Sequence, residues 1–182
     1  PNWQNSSTFT FKMPEGDVTL TAKYKTAYTL TVADGTILVN GMAGSRALAG
    51  DQITVTETGS DKYHLFNSWQ LTSSTPLVEP SENWQTSKEF TFTMPAGNVT
   101  LTADYKQLYN LTVKGGTIVD GATTGISQMI VKPGQLVTVA FTGSTGIEDQ
   151  FEKWTGGENI TEVDPNWQNS STFTFKMPEG DV

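Results

Sequence analysis

The sequence predicts a mainly β protein built from small modules repeated in tandem. Three observations predict it: a repeat that runs the length of the chain, apolar residues at every second position, and turns rich in Gly and Pro between the apolar runs. No window shows the 3.6-residue apolar spacing of a sustained amphipathic helix. We therefore expect five or six short strands per module and at most one short helix.

An exact internal copy establishes the repeat. Residues 1–18 read PNWQNSSTFTFKMPEGDV and recur unchanged at 165–182, while a divergent copy occupies residues 82–106. The segment that begins at Tyr28 also recurs, at Tyr109. Self-similarity of this kind is the sequence signature of a tandem array.

The phase of the repeat divides the chain into three parts. Residues 1–27 form the C-terminal tail of a preceding repeat, residues 28–108 form one complete module, and residues 109–182 form a second module that lacks its last strand. The last strand of the complete module ends near Lys106, so only about two residues separate it from the next module, too few for a flexible linker. We therefore expect neighbouring modules to hold a nearly fixed orientation and to form a semi-stiff rod.

Apolar residues at every second position predict the strands. Between Val99 and Tyr105, apolar side chains alternate with Thr and Asp, and between Phe90 and Met94 they alternate with Thr. Such alternation is typical of strands with one buried face. One helical turn could lie near Pro95 or near Trp84.

Composition excludes several classes of function. The chain of 182 residues has a net charge of −8, whereas nucleic acid binding requires a basic surface. No basic amphipathic segment suggests a membrane surface, and no apolar run is long enough to insert into a bilayer. Because Cys is absent, disulfides, thiolate catalysis and Cys-based metal sites are excluded.

The order of these motifs resembles the internalin B-repeat-like domains, especially their divergent bacterial branch. The chain has a Tyr-x-Leu-Thr-Val opening strand, a Phe-x-x-Trp element and a Met-Pro-x-x-x-Val-Thr-x-x-Ala-x-Tyr ending, which stands at 13–24 and 94–105. The resemblance implies a compact β-grasp-like module. It also implies repeats on bacterial surface, cell-wall or secreted proteins, often Gram-positive, that lie outside the cell and serve as stalks, spacers or adhesins.

Catalysis is not expected. His64 is the only histidine, its neighbours suggest a strand, and the second module has no equivalent. No Ser-His-Asp, His-x-x-x-His or phosphate-loop pattern is present. We therefore predict a non-enzymatic protein that needs no cofactor.

Acidic residues are candidate Ca²⁺ ligands, but Ca²⁺ requires six to eight oxygen ligands at fixed loop spacing. No loop has that spacing, so we expect no metal site and interpret the candidates as solvated surface charge: Glu148, Asp149, Glu158, Glu162 and Asp164.

The tryptophans fall into two groups. Trp69 and Trp154 follow a Phe by three residues, which favours core anchors. Trp3, Trp84 and Trp167 lie in a polar Asn-Trp-Gln context before a Phe-x-Phe strand. This second group is either packed or partly exposed as a ligand platform that stacks on sugar rings. The alternative function is thus a carbohydrate-binding array, with a polysaccharide or host ligand as partner.

One strand is left without a module of its own. Residues 19–25, Thr-Leu-Thr-Ala-Lys-Tyr-Lys, repeat the strand that the module at 109–182 lacks. An unpaired strand edge favours strand addition. The sequence therefore predicts contacts between neighbouring repeats of an array and head-to-tail self-association through residues 19–25.

Overall fold

The computed structural model describes residues 4, 6–120, 123–143, 150–161 and 163–182. The described residues contain no α-helix, and one 3-10 turn covers Trp167–Asn169. The prediction of a mainly β protein is confirmed. The strands are β1 Ala27–Ala33, β2 Gly35–Val39, β3 Met42–Ala43, β4 Arg46–Leu48, β5 Gln52–Glu57, β6 His64–Leu71, β7 Glu89–Thr93, β8 Val99–Gln107, β9 Tyr109–Thr112, β10 Gly116–Asp120, β11 Thr123–Ile126, β12 Gln128–Val131, β13 Leu136–Phe141 and β14 Thr172–Lys176.

The first repeat consists of two four-stranded sheets around one hydrophobic core. Their strand orders are β4-β1-β8-β6 and β3-β2-β5-β7. The first and last strands, β1 and β8, lie side by side and parallel at the centre of their sheet, with Leu30 opposite Val99, while the other pairs are antiparallel. Both sheets contribute to the core, as in a two-layer β fold. The buried residues are Leu30, Ala47, Ile53, Val55, Phe66, Trp69, Phe90, Phe92, Met94, Val99, Leu101 and Ala103.

Alternation along each strand explains which face is buried. In β8 the side chains of Val99, Leu101 and Ala103 are buried, whereas the Thr residues between them are half-buried. Phe66 and Trp69 of β6 also lie in the core, as their spacing predicted. The apolar set therefore faces the second sheet along the whole strand.

The first repeat has more strands than the five or six predicted. The additional ones, β3 and β4, are short edge segments of two and three residues. A tight turn at Asn40 and Gly41, with φ of 50° and 82°, joins β2 to β3, because two consecutive positive φ values match the twist of a two-residue hairpin.

The second repeat keeps most of this arrangement. One sheet has the order β11-β10-β13-β14, and β9 pairs antiparallel with β12 as β1 pairs with β4. Its core repeats the core of the first module. The buried residues are Leu111, Val113, Ile118, Val131, Val137, Val139, Phe173, Phe175 and Met177.

One element differs between the repeats for a physical reason. The Phe-x-x-Trp segment forms β6 in the first repeat, but residues 150–157 form no strand in the second. In the part of the chain that the structure describes, β6 pairs with β8 alone. Among the described residues, no strand lies in the β8 position of the second repeat, so the segment has no strand there to pair with.

The segment before β1 forms no strand in its described residues, 4 and 6–26. The strand expected at 19–25 is therefore absent, since a strand needs a neighbouring strand for its backbone hydrogen bonds. Its apolar side chains are exposed: Phe11, Met13, Val18, Leu20 and Tyr24.

Candidate functional site

An open groove lies in the second repeat where β8 lies in the first. Its cavity volume is about 520 Å³. The sides are β9 and the segment that follows Phe151, and the base is formed by core residues of β13 and β14. The lining residues are Leu111, Thr112, Val113, Lys114, Val139, Lys153, Trp154, Thr155, Gly156, Gly157, Ile160, Trp167, Phe173, Phe175 and Val182.

Val182 occupies the first position of the strand that would fill this groove. Its amide donates to the carbonyl of Asn110 at 2.9 Å, and its carbonyl accepts from the amide of Thr112 at 2.7 Å. These two bonds place Val182 beside Leu111, as Val99 lies beside Leu30 in the first repeat. The pairing of a parallel last strand therefore begins at Val182.

The residue just before the last strand, Asp181 in the second repeat and Asn98 in the first, makes an equivalent hydrogen bond in both repeats. The amide of Asn110 donates to Asp181 Oδ1 at 2.8 Å, and the amide of Thr29 donates to Asn98 Oδ1 at 2.9 Å. In each repeat, the side-chain oxygen of the residue before the last strand thus accepts from a backbone amide of the opening strand. This bond positions the end of the groove.

The Trp of the Phe-x-x-Trp segment makes an equivalent indole hydrogen bond in both repeats. The indole N–H of Trp154 donates to the carbonyl of Ser170 at 2.8 Å, and that of Trp69 donates to Ser87 at 3.0 Å. Trp69 is buried, whereas Trp154 is half-buried. β8 pairs beside Trp69 and covers it, whereas no strand among the described residues pairs beside Trp154.

The chain matches the family model of the divergent InlB B-repeat domain three times, at residues 2–27, 28–108 and 109–182. It belongs to the divergent InlB B-repeat family. No curated protein and no solved structure matches the chain. The suspected family is therefore confirmed.

B-repeats are typical of bacterial surface proteins, and the chain is a tandem region of such repeats. Among the residues that the structure describes, no helix is long and apolar enough to cross a membrane.

The Asn-Trp-Gln tryptophans of the two B-repeats occupy equivalent places. Trp84 is half-buried against Phe90, with ring centroids 5.3 Å apart, and Trp167 is half-buried against Phe173 at 4.8 Å. Trp3 lies outside the described residues. Each described indole therefore covers a core phenylalanine with part of its surface and leaves the remainder accessible. Their role as a sugar platform stays a prediction.

The exposure of these tryptophans can be measured directly. We expect acrylamide to quench the emission of Trp84, identified as the fluorescence that Trp84→Phe removes, because this half-buried indole is partly accessible. The emission of Trp69, identified in the same way with Trp69→Phe, should be spared, because Trp69 is 2 % exposed. Quenching that spared Trp84 and Trp167 as completely as Trp69 would remove the platform hypothesis.

The other sequence candidates that the structure describes form no cluster. His64 lies on β6 with its ring 2.9 Å from Asp61. Glu158 and Asp164 are exposed, and the described residues contain no group of three or more acidic or His side chains that could hold a metal. The other calcium candidates, Glu148, Asp149 and Glu162, lie outside the described residues.

Proposed function

We propose that this chain is a non-catalytic, semi-stiff stalk or spacer in the extracellular part of a bacterial surface or secreted protein. The observation that carries the proposal is the junction between the two repeats. The last strand of the first repeat ends at Gln107 and the first strand of the second begins at Tyr109, which leaves Leu108 alone between them.

The junction residue is itself held by the first repeat. The amide of Leu108 donates to the carbonyl of Tyr63 at 2.7 Å. A linker of one hydrogen-bonded residue gives neighbouring repeats little freedom to rotate. Repeats joined in this way transmit a displacement of one end to the other, which is what a spacer requires.

Strand direction also suits a load-bearing role. Because β1 and β8 are parallel neighbours, the chain enters the repeat at one end of the pair and leaves at the other. Tension along the array therefore pulls the two central strands past each other and loads all the hydrogen bonds between them together. Tension applied across a sheet would instead break such bonds one at a time.

Pulling experiments test the mechanical function. In single-molecule force spectroscopy, the first repeat pulled from residues 27 and 107 is expected to unfold at a clearly higher force than when it is pulled from residues 27 and 48. The second pair peels β4 from β1, because those strands are antiparallel. Equal forces in the two geometries would contradict a mechanical role.

The stiffness of the junction is a second, independent readout. Six Gly and Ser residues inserted after Leu108 are expected to broaden the distribution of end-to-end distances in solution scattering, because such linkers behave as random coils. The same insertion at Gly41, in the β2–β3 turn, is the control. An unchanged distribution would mean that the natural junction is already flexible. Binding of the unmodified chain to host cells or polysaccharide would favour an adhesive segment instead.

A further inference from the structure

The joint between the two repeats sets the angle at which they meet. Among the described residues, no strand of one repeat pairs with a strand of the other, and the two cores have no residue in common. Leu108 alone lies between the last strand of the first repeat and the first strand of the second. Because each residue has two soft backbone dihedrals, φ and ψ of Leu108 largely determine the direction in which the second repeat points.

Both peptide groups of Leu108 are held by the first repeat. On one side, the amide of Leu108 donates to the carbonyl of Tyr63 at 2.7 Å. On the other side, Nε2 of Gln107 donates to the carbonyl of Leu108 at 3.0 Å. The first bond orients the peptide plane before the Leu108 Cα atom, and the second orients the plane after it. Together the two bonds therefore restrict φ and ψ of Leu108.

The carbonyl of Tyr63 is held in place by a turn that the Asp61 side chain closes. One carboxylate oxygen of Asp61 accepts from the amides of Tyr63 and His64, both at 2.7 Å, and lies 2.9 Å from Nδ1 of His64. The amide of Asp61 donates to the carbonyl of His64 at 3.0 Å. Aspartate closes turns in this way by accepting from backbone amides a few residues further along the chain. The only histidine of the chain thus takes part in this turn.

The loop that leads to this turn is attached to the sheets of the first repeat. The amide of Thr58 donates to the carbonyl of Asp34 at 2.9 Å, and the amide of Gly59 donates to the Tyr105 hydroxyl at 3.0 Å. The amide of Ser60 donates to the Glu57 carboxylate at 3.1 Å. The Tyr63 carbonyl therefore has a fixed position relative to the first repeat, and its bond to Leu108 passes that position on to the joint.

We propose that Asp61 and Gln107 are positioning residues that fix the angle between the repeats, Asp61 through the Tyr63 carbonyl and Gln107 through its own side chain. The inference rests on the proposed function of a semi-stiff spacer and names the hydrogen bonds that make the spacer stiff. Asp61 and Gln107 are both exposed, so either can be replaced without removing a core side chain. Without their hydrogen bonds, Leu108 becomes a hinge of one residue.

Distances between two spin labels measure the angle at the joint, and labels can be placed freely because the chain has no Cys of its own. One label is attached at Thr36→Cys in the first repeat and the other at Thr172→Cys in the second, both exposed positions on strands. We expect the otherwise natural chain to give a single narrow distance peak. Asp61→Ala and Gln107→Ala should each lose that narrow peak and give a broad distribution.

Two control variants separate a positioning role from a role in folding. Asp61→Asn should keep the narrow peak, because an asparagine side chain also accepts from backbone amides in a turn. Asp51→Ala should keep it as well. That variant also removes an exposed aspartate that holds a turn, through the amide of Leu48 at 2.7 Å, but this turn lies between β4 and β5. Equal broadening in Asp51→Ala and Asp61→Ala would indicate general loosening of the first repeat and would overturn the proposal.

An ester at the joint tests whether Asp61 acts through the Tyr63 carbonyl. Replacing Leu108 by its α-hydroxy acid analogue converts the amide into an ester and removes the N–H donor while keeping the side chain. The ester should broaden the distribution as Asp61→Ala does. Adding Asp61→Ala to the ester should broaden it no further, because the two changes remove the same interaction. Further broadening would refute this role of Asp61.

The label distances also distinguish a failure of this inference from a failure of the proposed function. A broad distribution in the natural chain would contradict the semi-stiff spacer and the positioning residues together. A narrow natural peak that stayed narrow in Asp61→Ala or in Gln107→Ala would leave the spacer intact and overturn the proposal for the pair alone.

Discussion

Replacing Trp69 by alanine is expected to lower the free energy of unfolding of the first repeat by about 3–5 kcal/mol, the usual cost of removing a buried Trp. Trp69 is 2 % exposed and packs on Phe66 and Phe90, with centroids 5.6 and 5.9 Å away. A Cβ at Gly35 would lie 2.7 Å from the Trp69 ring, so the strand backbone approaches the indole directly. The substitution leaves a cavity between the two sheets.

The loss of unfolding free energy in Trp69→Ala also has a polar component. The indole N–H of Trp69 donates to the carbonyl of Ser87 at 3.0 Å, and this part-buried carbonyl would lose its side-chain donor. Ser87 lies in the loop that leads into β7, so its release should loosen the attachment of that strand. The measured effect combines packing with this anchor.

Hydrogen exchange followed by mass spectrometry measures the effect repeat by repeat, since peptides from β8 report on the first repeat alone. Trp84→Ala is the control, because it also removes one indole, but a half-buried one that packs at the edge of the core. We expect it to cost about 1–2 kcal/mol. Equal losses in the two variants would show that Trp69 is not the anchor of this core.

Much of the fold could be predicted from the sequence because the information is local. The alternation of Phe90 and Phe92 with Thr gives the strand and its buried face without knowledge of the partners. The spacing of Phe66 and Trp69 likewise indicates a core pair. Because the sequence repeats, the same strand and core assignments apply to the equivalent residues of the next module.

Partnership between distant segments could not be predicted in the same way. Phe151 and Trp154 repeat the local pattern of β6, yet residues 150–157 form no strand, and no strand among the described residues pairs with them as β8 pairs with β6. The short edge β4 is likewise defined by its pairing with β1, not by its own composition. Local propensity indicates where a strand can form, but pairing with a neighbouring strand determines whether it does form.

The groove was predicted in part. The phase of the repeat indicated an open second module and an unpaired segment at 19–25, and the structure shows a groove at that place. Its outer lining was not predicted, because Lys114 and Ile160 come from turns with no periodic signal.

Acid is expected to destabilise the first repeat through Glu57. Its side chain is 6 % exposed, and its carboxylate lies 2.9 Å from Lys88 Nζ. The carboxylate also accepts from the hydroxyl and the amide of Ser60, at 2.7 and 3.1 Å, and from the Tyr105 hydroxyl at 3.3 Å. These contacts join β5 and β8 to the loop after β5 and to the residue that precedes β7.

The direction of the pH effect follows from the pKa. Burial raises the pKa of Glu57, but the hydrogen bonds from Lys88 and from Ser60 lower it by more, from 4.5 to about 2. A group with a lowered folded-state pKa stabilises the fold above its unfolded pKa and loses that contribution as pH falls through its folded pKa. The loss should therefore occur between about pH 4.5 and pH 2. We expect about 2 kcal/mol, less than the shift alone implies, because Lys88 is 60 % exposed to solvent.

The second repeat provides an internal comparison for this titration. Phe141 stands at the position of Glu57, so the second repeat lacks the buried carboxylate. Hydrogen exchange as a function of pH should show the extra acid loss in peptides of the first repeat. Glu57→Gln should remove that extra loss, while Glu89→Gln, which changes an exposed strand carboxylate, should keep it. If Glu57→Gln left the acid response of the first repeat unchanged, the stabilisation would have to come from other carboxylates, and the contacts around Glu57 would contribute packing instead of charge.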